Sequence, residues 1–434
     1  MRSINQIFRF LKDDVWCYAL LGFGFTFRLF YIFIFTRPES YIWSDSAVYD
    51  GQALQMAKNQ YVMFSTYLPP FFHIFLSWIY RPLIWLKLED WRIKIDIVIF
   101  ALFYIIGFWC IYQITKKLFS KKIGLIILTI LIFWYPFIFL NYIVMSENLF
   151  FPLLFLGLYF LIVKPLRPST GLWLGLFWGI AFITRPIFAL VLPIFVIWSL
   201  YYKINWKILI NFIIVAAIII ASAALFNLYY TIDDAVGGAE KSISSNGGAG
   251  FAMLWCDAKS IQFNKDGYYF WFAPPANADY PENKRVFTTT PFANQDYYYK
   301  MGLNCLKQNP WKLIGNFSSI AKLFNSRLFP EVEGIKYLEN FRLTFKIITG
   351  LMFIGGMLTI VGILGKRILI DKAIKKYFFF FALIILSLML TVYLQAPGEE
   401  RYIMPYAPLL IILSAPVFII FFKKIKNGIS KNTK

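Results

Sequence analysis

Short polar motifs interrupt a very apolar sequence, and their residue types suit acid–base chemistry beside an anionic group. Two acids, Asp45 and Glu147, and two arginines, Arg185 and Arg401, stand out. A carboxylate accepts protons in acid–base catalysis, and the planar guanidinium group of arginine matches phosphate with paired hydrogen bonds. The motifs occupy residues 41–49, 67–70, 145–148, 184–186 and 397–402.

The composition shows what kind of fold must position these motifs. Hydrophobic residues make up 59% of the 434 residues and charged residues only 15%, against about 45–50% and about 25% in soluble domains. A soluble fold does not hide that much apolar surface behind so few charges. The composition therefore excludes an ordinary soluble enzyme, a disordered chain and a fibrous protein, and it predicts an all-α polytopic membrane protein.

Apolar segments long enough to cross a bilayer predict about ten transmembrane helices, because a span needs roughly 20 mostly apolar residues. An eleventh stretch, 71–86, is shorter and ends in charged residues, so we expect an interfacial helix there. Pro186 is expected to break the helix between the fifth and sixth spans. The predicted spans are 15–36, 95–115, 123–142, 148–163, 171–186, 187–202, 207–228, 347–365, 377–395 and 403–422.

The net charge of +20 is explained by topology rather than by binding to nucleic acid. With ten spans and a cytoplasmic N-terminus, the short cytoplasmic segments hold 21 Lys and Arg against three Asp, and the remainder holds 22 basic and 20 acidic residues. This distribution follows the positive-inside rule. It places both termini in the cytoplasm and the polar motifs at the periplasmic or exterior face of the cytoplasmic (inner) membrane. We expect no cleavable signal peptide, and the first span acts as the anchor.

The spans divide the chain into three parts. Residues 1–228 form an N-terminal transmembrane module with the outside loop 37–94. Residues 229–346 form an extracytoplasmic cap, and 347–434 form the last helices and a basic tail. Two of the four cysteines, Cys256 and Cys305, lie in the cap, where an oxidising compartment favours a disulfide. The alternative is two thiols.

The motifs and their order resemble the GT-C glycosyltransferases, in the lipid-phosphate-sugar-dependent branch related to protein mannosyltransferases and to the aminoarabinose transferase of lipid A. The resemblance rests on a Ser-Asp-x-x-x-Tyr pattern, a Pro-Pro helix start, an acid in the second outside loop, an Arg-Pro helix end and a Glu-Arg-Tyr motif before the last span. These are Ser44, Asp45 and Tyr49; Pro69 and Pro70; Glu147; Arg185 and Pro186; and Glu400, Arg401 and Tyr402.

The resemblance implies a sugar donor on polyprenyl phosphate and transfer with inversion to an envelope glycan, lipid or protein. Hydroxyl attack on an anomeric carbon needs a base, for which Asp45 is the candidate, with Glu147 as a second catalytic acid. Arg185 and Arg401 would bind the donor phosphate. The membrane lipids are the other expected partners, and no cofactor is required except a possible divalent metal on Glu147. Candidate substrate-binding residues are Tyr49, Tyr67, His73, Glu400 and Tyr402.

Each candidate also has an ordinary structural interpretation. Asp45 is a possible helix N-cap, and Glu147 a helix cap rather than a metal ligand. The two arginines are possible interface anchors, and His73 a buried interfacial residue. Arg28, in the outer half of the first span, either extends outward to water or reaches the site.

Two other functions compete with glycosyl transfer. An O-antigen polymerase or ligase also joins lipid-linked sugars, although an early Ser-Asp-x-x-x-Tyr motif is not expected in one. A lipid or sugar transporter is the alternative from a different class. It predicts charged residues at mid-membrane and helices broken near the bilayer centre.

Overall fold

A computed structural model of the chain describes most of the predicted transmembrane part and portions of the cap. It describes residues 14–36, 38–42, 45–59, 68–230, 246–256, 260–264, 267–272, 286–288, 295–317, 320, 336–366, 368, 371–395 and 400–432.

The described residues are mainly helical. In the N-terminal module the helices are α1 (Val15–Phe35), α2 (Asp45–Ala57), α3 (Pro70–Trp85), α4 (Arg92–Leu118), α5 (Lys121–Ile132), α6 (Tyr135–Asn141), α7 (Glu147–Ile162), α8 (Pro168–Thr184), α9 (Val191–Tyr201) and α10 (Trp206–Tyr230). The later helices are α11 (Asn246–Trp255), α12 (Gln295–Gln308), α13 (Lys312–Gly315), α14 (Lys336–Leu364), α15 (Lys372–Gln395), α16 (Glu400–Ile403) and α17 (Ala407–Asn432). Short 3₁₀ turns occupy Pro38–Tyr41, Glu89–Trp91, Pro186–Phe188 and Met404–Tyr406.

Six helices among the described residues are long and apolar enough to cross a membrane, or seven if the bent pair α5–α6 counts as one span. The helices α7, α8 and α9 are apolar but shorter. At 1.5 Å per residue, the 16 residues of α7 extend about 24 Å, less than the roughly 30 Å thickness of a hydrocarbon core. The chain is therefore a helical membrane protein, and the count of ten spans and the interfacial position of α3 stay predictions.

The helix α7 lies at the centre of the N-terminal module. Nearly every side chain from Glu147 to Ile162 is buried, as expected for a helix that is apolar on all sides. It packs against α4 on one side and α8 on the other. This central packing fixes the position of Glu147 at the start of the helix.

Close backbone packing holds α8 against α10. Gly171, Gly175 and Gly179 recur every four residues along α8 and face α10. A Cβ atom on Gly175 would lie 2.7 Å from the carbonyl oxygen of Phe212. Small residues at this spacing let two membrane helices approach closely, and here they fix the axis of the helix that ends beside Arg185.

The predicted span 123–142 is broken. The helices α5 and α6 meet at an angle of 55° after Ile132, and Arg28 lies at this break. Its Nη2 atom donates to the carbonyl oxygens of Leu131 at 3.4 Å and Ile132 at 3.3 Å. Those carbonyl groups end α5, where a cation stabilises the helix dipole.

Arg28 therefore neither extends to water nor reaches the charged site. Its side chain is fully buried, and its guanidinium group lies over the rings of Tyr104 and Phe108, 5.3 and 5.0 Å from their centroids. The end of a helix inside the predicted span explains this position, because the carbonyl groups there need donors.

The cap contains both helices and strands. Strands β1 (Ser260–Asn264), β2 (Gly267–Phe272) and β3 (Val286–Thr288) form an antiparallel sheet in the order β1-β2-β3. Ser260 pairs with Trp271 and Phe272 with Val286. This sheet is an exception to the expected all-α architecture, and the aromatic residues of β2 favour extended structure.

Residues of the predicted cap also attach to the C-terminal part of α15. Trp255 donates a hydrogen bond to the carbonyl oxygen of Leu394 at 3.2 Å. Asn316 donates to the carbonyl oxygen of Tyr393 at 2.5 Å, and the Tyr393 hydroxyl group donates to the carbonyl oxygen of Leu313 at 2.5 Å. The cap is thereby tied to the helix that precedes α16.

Candidate functional site

Four separate elements bring the predicted charged residues to one place. Asp45 is the first residue of α2, and Glu147 is the first residue of α7. Arg185 follows the last residue of α8, where Pro186 ends the helix. Arg401 lies in α16. Acidic side chains at helix N-termini interact favourably with the helix dipole, which supports both acids locally.

The four side chains form a continuous series of ion pairs. Nη1 of Arg401 lies 2.9 Å from Oδ2 of Asp45, and Nε of Arg401 lies 3.9 Å from Oε1 of Glu147. Nη1 of Arg185 contacts the same Oε1 atom directly. Glu147 is thus shared between two guanidinium groups, whereas Asp45 pairs with Arg401.

The four paired side chains differ in burial. The Glu147 side chain is fully buried, and the side chains of Arg185, Arg401 and Asp45 are 11%, 16% and 20% exposed. A ligand arriving from outside would therefore meet Asp45 and Arg401 before Glu147. A fully buried carboxylate beside two arginines is held ionised by their charges, so Glu147 acts as the fixed counter-ion of the site.

Polar neighbours link the acids to the surrounding helices. Ser146 accepts a hydrogen bond from Nη1 of Arg185 at 3.3 Å and donates to Oε2 of Glu147 at 3.4 Å. The Tyr49 hydroxyl group shares a hydrogen bond with Ser146. Burial raises the pKa of Tyr49 above its ordinary value, so this hydroxyl group stays protonated and can donate a hydrogen bond.

Tyr402 lies against both arginines. Its ring centroid is 5.3 Å from Cζ of Arg185 and 5.5 Å from Cζ of Arg401. Cation–π contacts at these distances stabilise guanidinium groups against an aromatic face. Tyr402 therefore helps to hold two like charges side by side.

His73 lies next to this cluster rather than in it. Its ring centroid is 6.4 Å from that of Tyr49, and the side chain is almost completely buried. Burial lowers the pKa of His73 to about 3, so the imidazole group is neutral near pH 7. A neutral imidazole group offers no positive charge to bind the phosphate group of a sugar donor.

The structure thus brings Asp45, Glu147, Arg185, Arg401 and Tyr402 together. The other predicted ligand residues are Tyr49, which reaches the cluster through Ser146, and His73 beside it. Tyr67 lies outside the described residues, as does the side chain of Glu400, whose backbone begins α16.

Two neighbours were not predicted as site residues. Ser146 connects Arg185 to Glu147, and its position directly before the acid was the available signal. Tyr406 is buried within electrostatic reach of Arg185, and its hydroxyl group has no hydrogen-bond partner among the described residues. The corresponding signal was a second tyrosine four positions after Tyr402, in the 3₁₀ turn that follows α16.

The residues at Glu147 do not fit a divalent metal ion. Among the described residues, no three His, Cys, Asp or Glu side chains lie close enough to share a metal. Arg185 and Arg401 occupy the positions beside the carboxylate that a cation would take. Two guanidinium groups would repel a divalent cation there.

The two cap cysteines lie on packed helices. Cys256 follows α11 and Cys305 lies within α12; they form a disulfide with a Cα–Cα distance of 5.3 Å. Gly248 and Gly302 allow these helices to approach closely, since a Cβ atom on either would press against the other helix.

Comparisons with known proteins give only distant structural likenesses. No protein-family model matches the chain, and no curated protein matches it. Among solved structures, the chain is similar to ArnT from Cupriavidus metallidurans, in a crystal structure bound to undecaprenyl phosphate. The two share 10% sequence identity over 94% of this chain and 77% of that chain, with a TM-score of 0.38. A likeness at this level carries no conclusion about function.

Proposed function

We propose that the protein is an inverting membrane glycosyltransferase that moves a sugar from a polyprenyl-phosphate donor to an envelope glycan, lipid or protein. One observation carries the proposal: Asp45, Glu147, Arg185 and Arg401 come from four distant segments and meet in one partly exposed cluster. Such a cluster provides both a base and a cationic site for a phosphate.

The short helices around the cluster suit a lipid substrate. Because α7 is about 24 Å long and begins with Glu147, the charged residues would lie below the outer membrane surface when its other end is cytoplasmic. A polyprenyl phosphate carries its charge at the end of a membrane-embedded tail. Its phosphate group would meet Arg401 and Arg185 without leaving the membrane boundary.

In the proposed reaction, Asp45 accepts the proton of the acceptor hydroxyl group. The acceptor oxygen forms a bond to the anomeric carbon, while the bond from that carbon to the phosphate oxygen breaks. The lipid phosphate leaves with the electron pair, and the guanidinium groups of Arg185 and Arg401 stabilise its charge. A single displacement of this kind inverts the anomeric configuration, and Tyr49 and Tyr402 would contact the sugar.

The Arg401–Asp45 pair couples donor binding to this chemistry. Without donor, Arg401 pairs with Asp45 at 2.9 Å, so the guanidinium group occupies the carboxylate oxygen that would accept the proton. A phosphate group competes for the same guanidinium group through charge-assisted hydrogen bonds. Donor binding would therefore release Asp45 and activate it only when a sugar is present to be transferred.

Transport is the second candidate function, because the structure has two features that are expected of a transporter. The break between α5 and α6 and the buried Arg28 resemble the discontinuous helices of transporters. However, Arg28 is fully buried between two aromatic rings and two carbonyl groups. An assay for movement of fluorescent lipid or sugar across vesicles containing the purified protein separates the two functions.

Binding of undecaprenyl phosphate to the purified protein tests the proposal. We expect Arg401→Ala to weaken binding by about tenfold or more, the effect of losing a hydrogen bond to a charged group. Asp45→Asn should bind the lipid at least as tightly as wild type, because a competitor for Arg401 is gone.

Arg81→Ala is the matched control, since Arg81 is an exposed arginine on α3. Equal binding by wild type, Arg401→Ala and Arg81→Ala would contradict a phosphate site at Arg401. Weaker binding by Asp45→Asn would contradict the competition between Asp45 and phosphate.

A further inference from the structure

A second buried polar network lies away from the ion-pair cluster and joins α2, α3 and α4. Arg92 pairs with Asp50 through two contacts, from Nε to Oδ1 at 2.9 Å and from Nη2 to Oδ2 at 2.9 Å. The Tyr80 hydroxyl oxygen lies 2.9 Å from Oδ1 of Asp50 and 2.6 Å from Oδ2 of Asp96. Each of the three helices thus contributes at least one member.

The number of protons in this network limits its protonation state. A tyrosine hydroxyl group has one proton to donate, and its oxygen can also accept a hydrogen bond. An ionised carboxylate can only accept. Tyr80 therefore cannot bond to two ionised carboxylates at hydrogen-bond distance, and one carboxyl group must supply a second proton.

The surroundings identify which carboxyl group holds that proton. Asp50 has a two-contact pair with Arg92, which stabilises its ionised form. Asp96 is fully buried, and its Oδ1 atom has no hydrogen-bond partner among the described residues. An ionised carboxylate buried without a cation is far more costly than a neutral one.

The other charged groups near the network do not supply a cation to Asp96. Lys58 pairs with Glu89 at 2.7 Å. The backbone carbonyl oxygen of Glu89 lies 3.5 Å from Nη1 of Arg92. Arg92 is the cation of the network, and its close contacts are with Asp50.

We propose that Asp96 is a neutral carboxylic acid that donates a hydrogen bond to Tyr80, and that Tyr80 donates a hydrogen bond to ionised Asp50. These two hydrogen bonds anchor α2 to α3 and α4. Asp50 immediately follows Tyr49, and both lie on the helix that begins at Asp45. The anchor therefore positions the proposed base and Tyr49 against Arg401 and Ser146. This functional consequence rests on the proposed glycosyl transfer, whereas the protonation of Asp96 does not.

Infrared spectroscopy of the intact protein at neutral pH tests the proton directly. A buried protonated carboxyl group gives a carbonyl-stretch band that an ionised carboxylate lacks. We expect wild type to show this band and Asp96→Asn to lose it, while Asp50→Asn and the exposed control Asp90→Asn retain it. No such band in wild type, or an unchanged band in Asp96→Asn, would overturn the assignment.

Hydrogen–deuterium exchange tests the anchor. Tyr80→Phe removes the hydroxyl group that joins the two acids, and exchange of backbone amides in α2 should become about tenfold faster, the effect of roughly one lost hydrogen bond to a charged group. Tyr104→Phe is the matched control, because the Tyr104 hydroxyl group is buried without a hydrogen-bond partner among the described residues. Equal exchange in Tyr80→Phe and Tyr104→Phe would refute the anchor.

Measurements of sugar transfer test the anchor of α2 separately from the proposed glycosyltransferase function. Asp96→Asn replaces the carboxyl donor with an amide donor, so it should keep the rate of sugar transfer, whereas Tyr80→Phe should lower kcat with unchanged binding of undecaprenyl phosphate. Loss of binding in Tyr80→Phe, or equal kcat in the two variants, would contradict positioning of α2. If wild type transferred no sugar, the proposed function would fail, and the infrared and exchange results would still decide the anchor.

Discussion

Replacing Glu147 by glutamine removes the counter-ion shared by two partly buried arginines. The substitution keeps the size of the side chain and deletes its charge. Arg185 then loses its direct carboxylate contact, and Arg401 loses a carboxylate oxygen at 3.9 Å. Both guanidinium groups still lie over the Tyr402 ring, and Arg401 keeps Asp45 as its carboxylate partner.

The structure sets the size of the expected effect. Breaking a buried ion pair by removing one partner costs about 3–5 kcal/mol, because the other charge is left without compensation. Glu147 is fully buried and serves two arginines, so we expect Glu147→Gln to lower the free energy of unfolding by about 3–5 kcal/mol. Transfer activity should fall as well, because the spacing of the arginines depends on this charge.

The assay is reversible unfolding of the purified protein by denaturing detergent, with Glu89→Gln as the matched control. Glu89 pairs with Lys58 at 2.7 Å, but both side chains are about one-third exposed. Such pairs contribute at most about 1 kcal/mol. A Glu147→Gln variant as stable as Glu89→Gln would refute the interpretation of Glu147 as the buried counter-ion of the site.

Three further predictions concern single features of the structure. Arg401→Lys should weaken binding of undecaprenyl phosphate by about tenfold while the protein still folds, because an ammonium group lacks the guanidinium fork; unchanged affinity would mean that a point charge suffices. Cys256 and Cys305 should resist a thiol reagent until the protein is reduced, and labelling of either before reduction would argue against the disulfide. Gly175→Ala should lower stability by about 1–3 kcal/mol, since its methyl group meets a carbonyl oxygen of α10, whereas Gly22→Ala, with no atom nearby, should not. Equal stability of the two glycine variants would contradict the close packing of α8 and α10.

Much of the helical framework could be predicted from the apolar runs. The ends of α8 and α15 lie within a few residues of the predicted ends, and the 3₁₀ turn at Pro186 follows from the geometry of proline. The break after Ile132 was not predicted, although Pro136 at the start of α6 was a signal for it: proline has no N–H to donate to the carbonyl group four residues earlier, which is that of Ile132. The helix α14 begins at Lys336, before the predicted span at 347, since helical structure extends beyond the apolar segment.

The sequence was enough to predict which charged residues meet. It was not enough to predict which ion pairs they form. Asp45, Glu147, Arg185 and Arg401 all lie at predicted outer helix ends, so sidedness alone suggested a common site. Their pairing depends on the relative rotation of four helices, which residue spacing does not determine. The assignment of Glu147 as a possible metal ligand illustrates this limit, because only the structure places two arginines against it.

The network around Asp96 shows a related limit. Asp50 and Asp96 are separated by 46 positions in the sequence, and Tyr80 lies between them on another helix. Nothing in the spacing shows that one hydroxyl group bridges both acids. Only the two hydrogen-bond distances from the Tyr80 hydroxyl group show that one of the two acids must carry a proton.

Mass spectrometry of envelope lipids, glycans and proteins tests the central claim most directly. Cells that lack the chain are compared with cells that express wild type or Asp45→Asn at equal protein levels. Glycosyl transfer with Asp45 as the base predicts a sugar modification that disappears without the chain, returns with wild type and does not return with Asp45→Asn. Full restoration of the modification by Asp45→Asn, or no sugar difference between cells with and without the wild-type chain, would contradict the account.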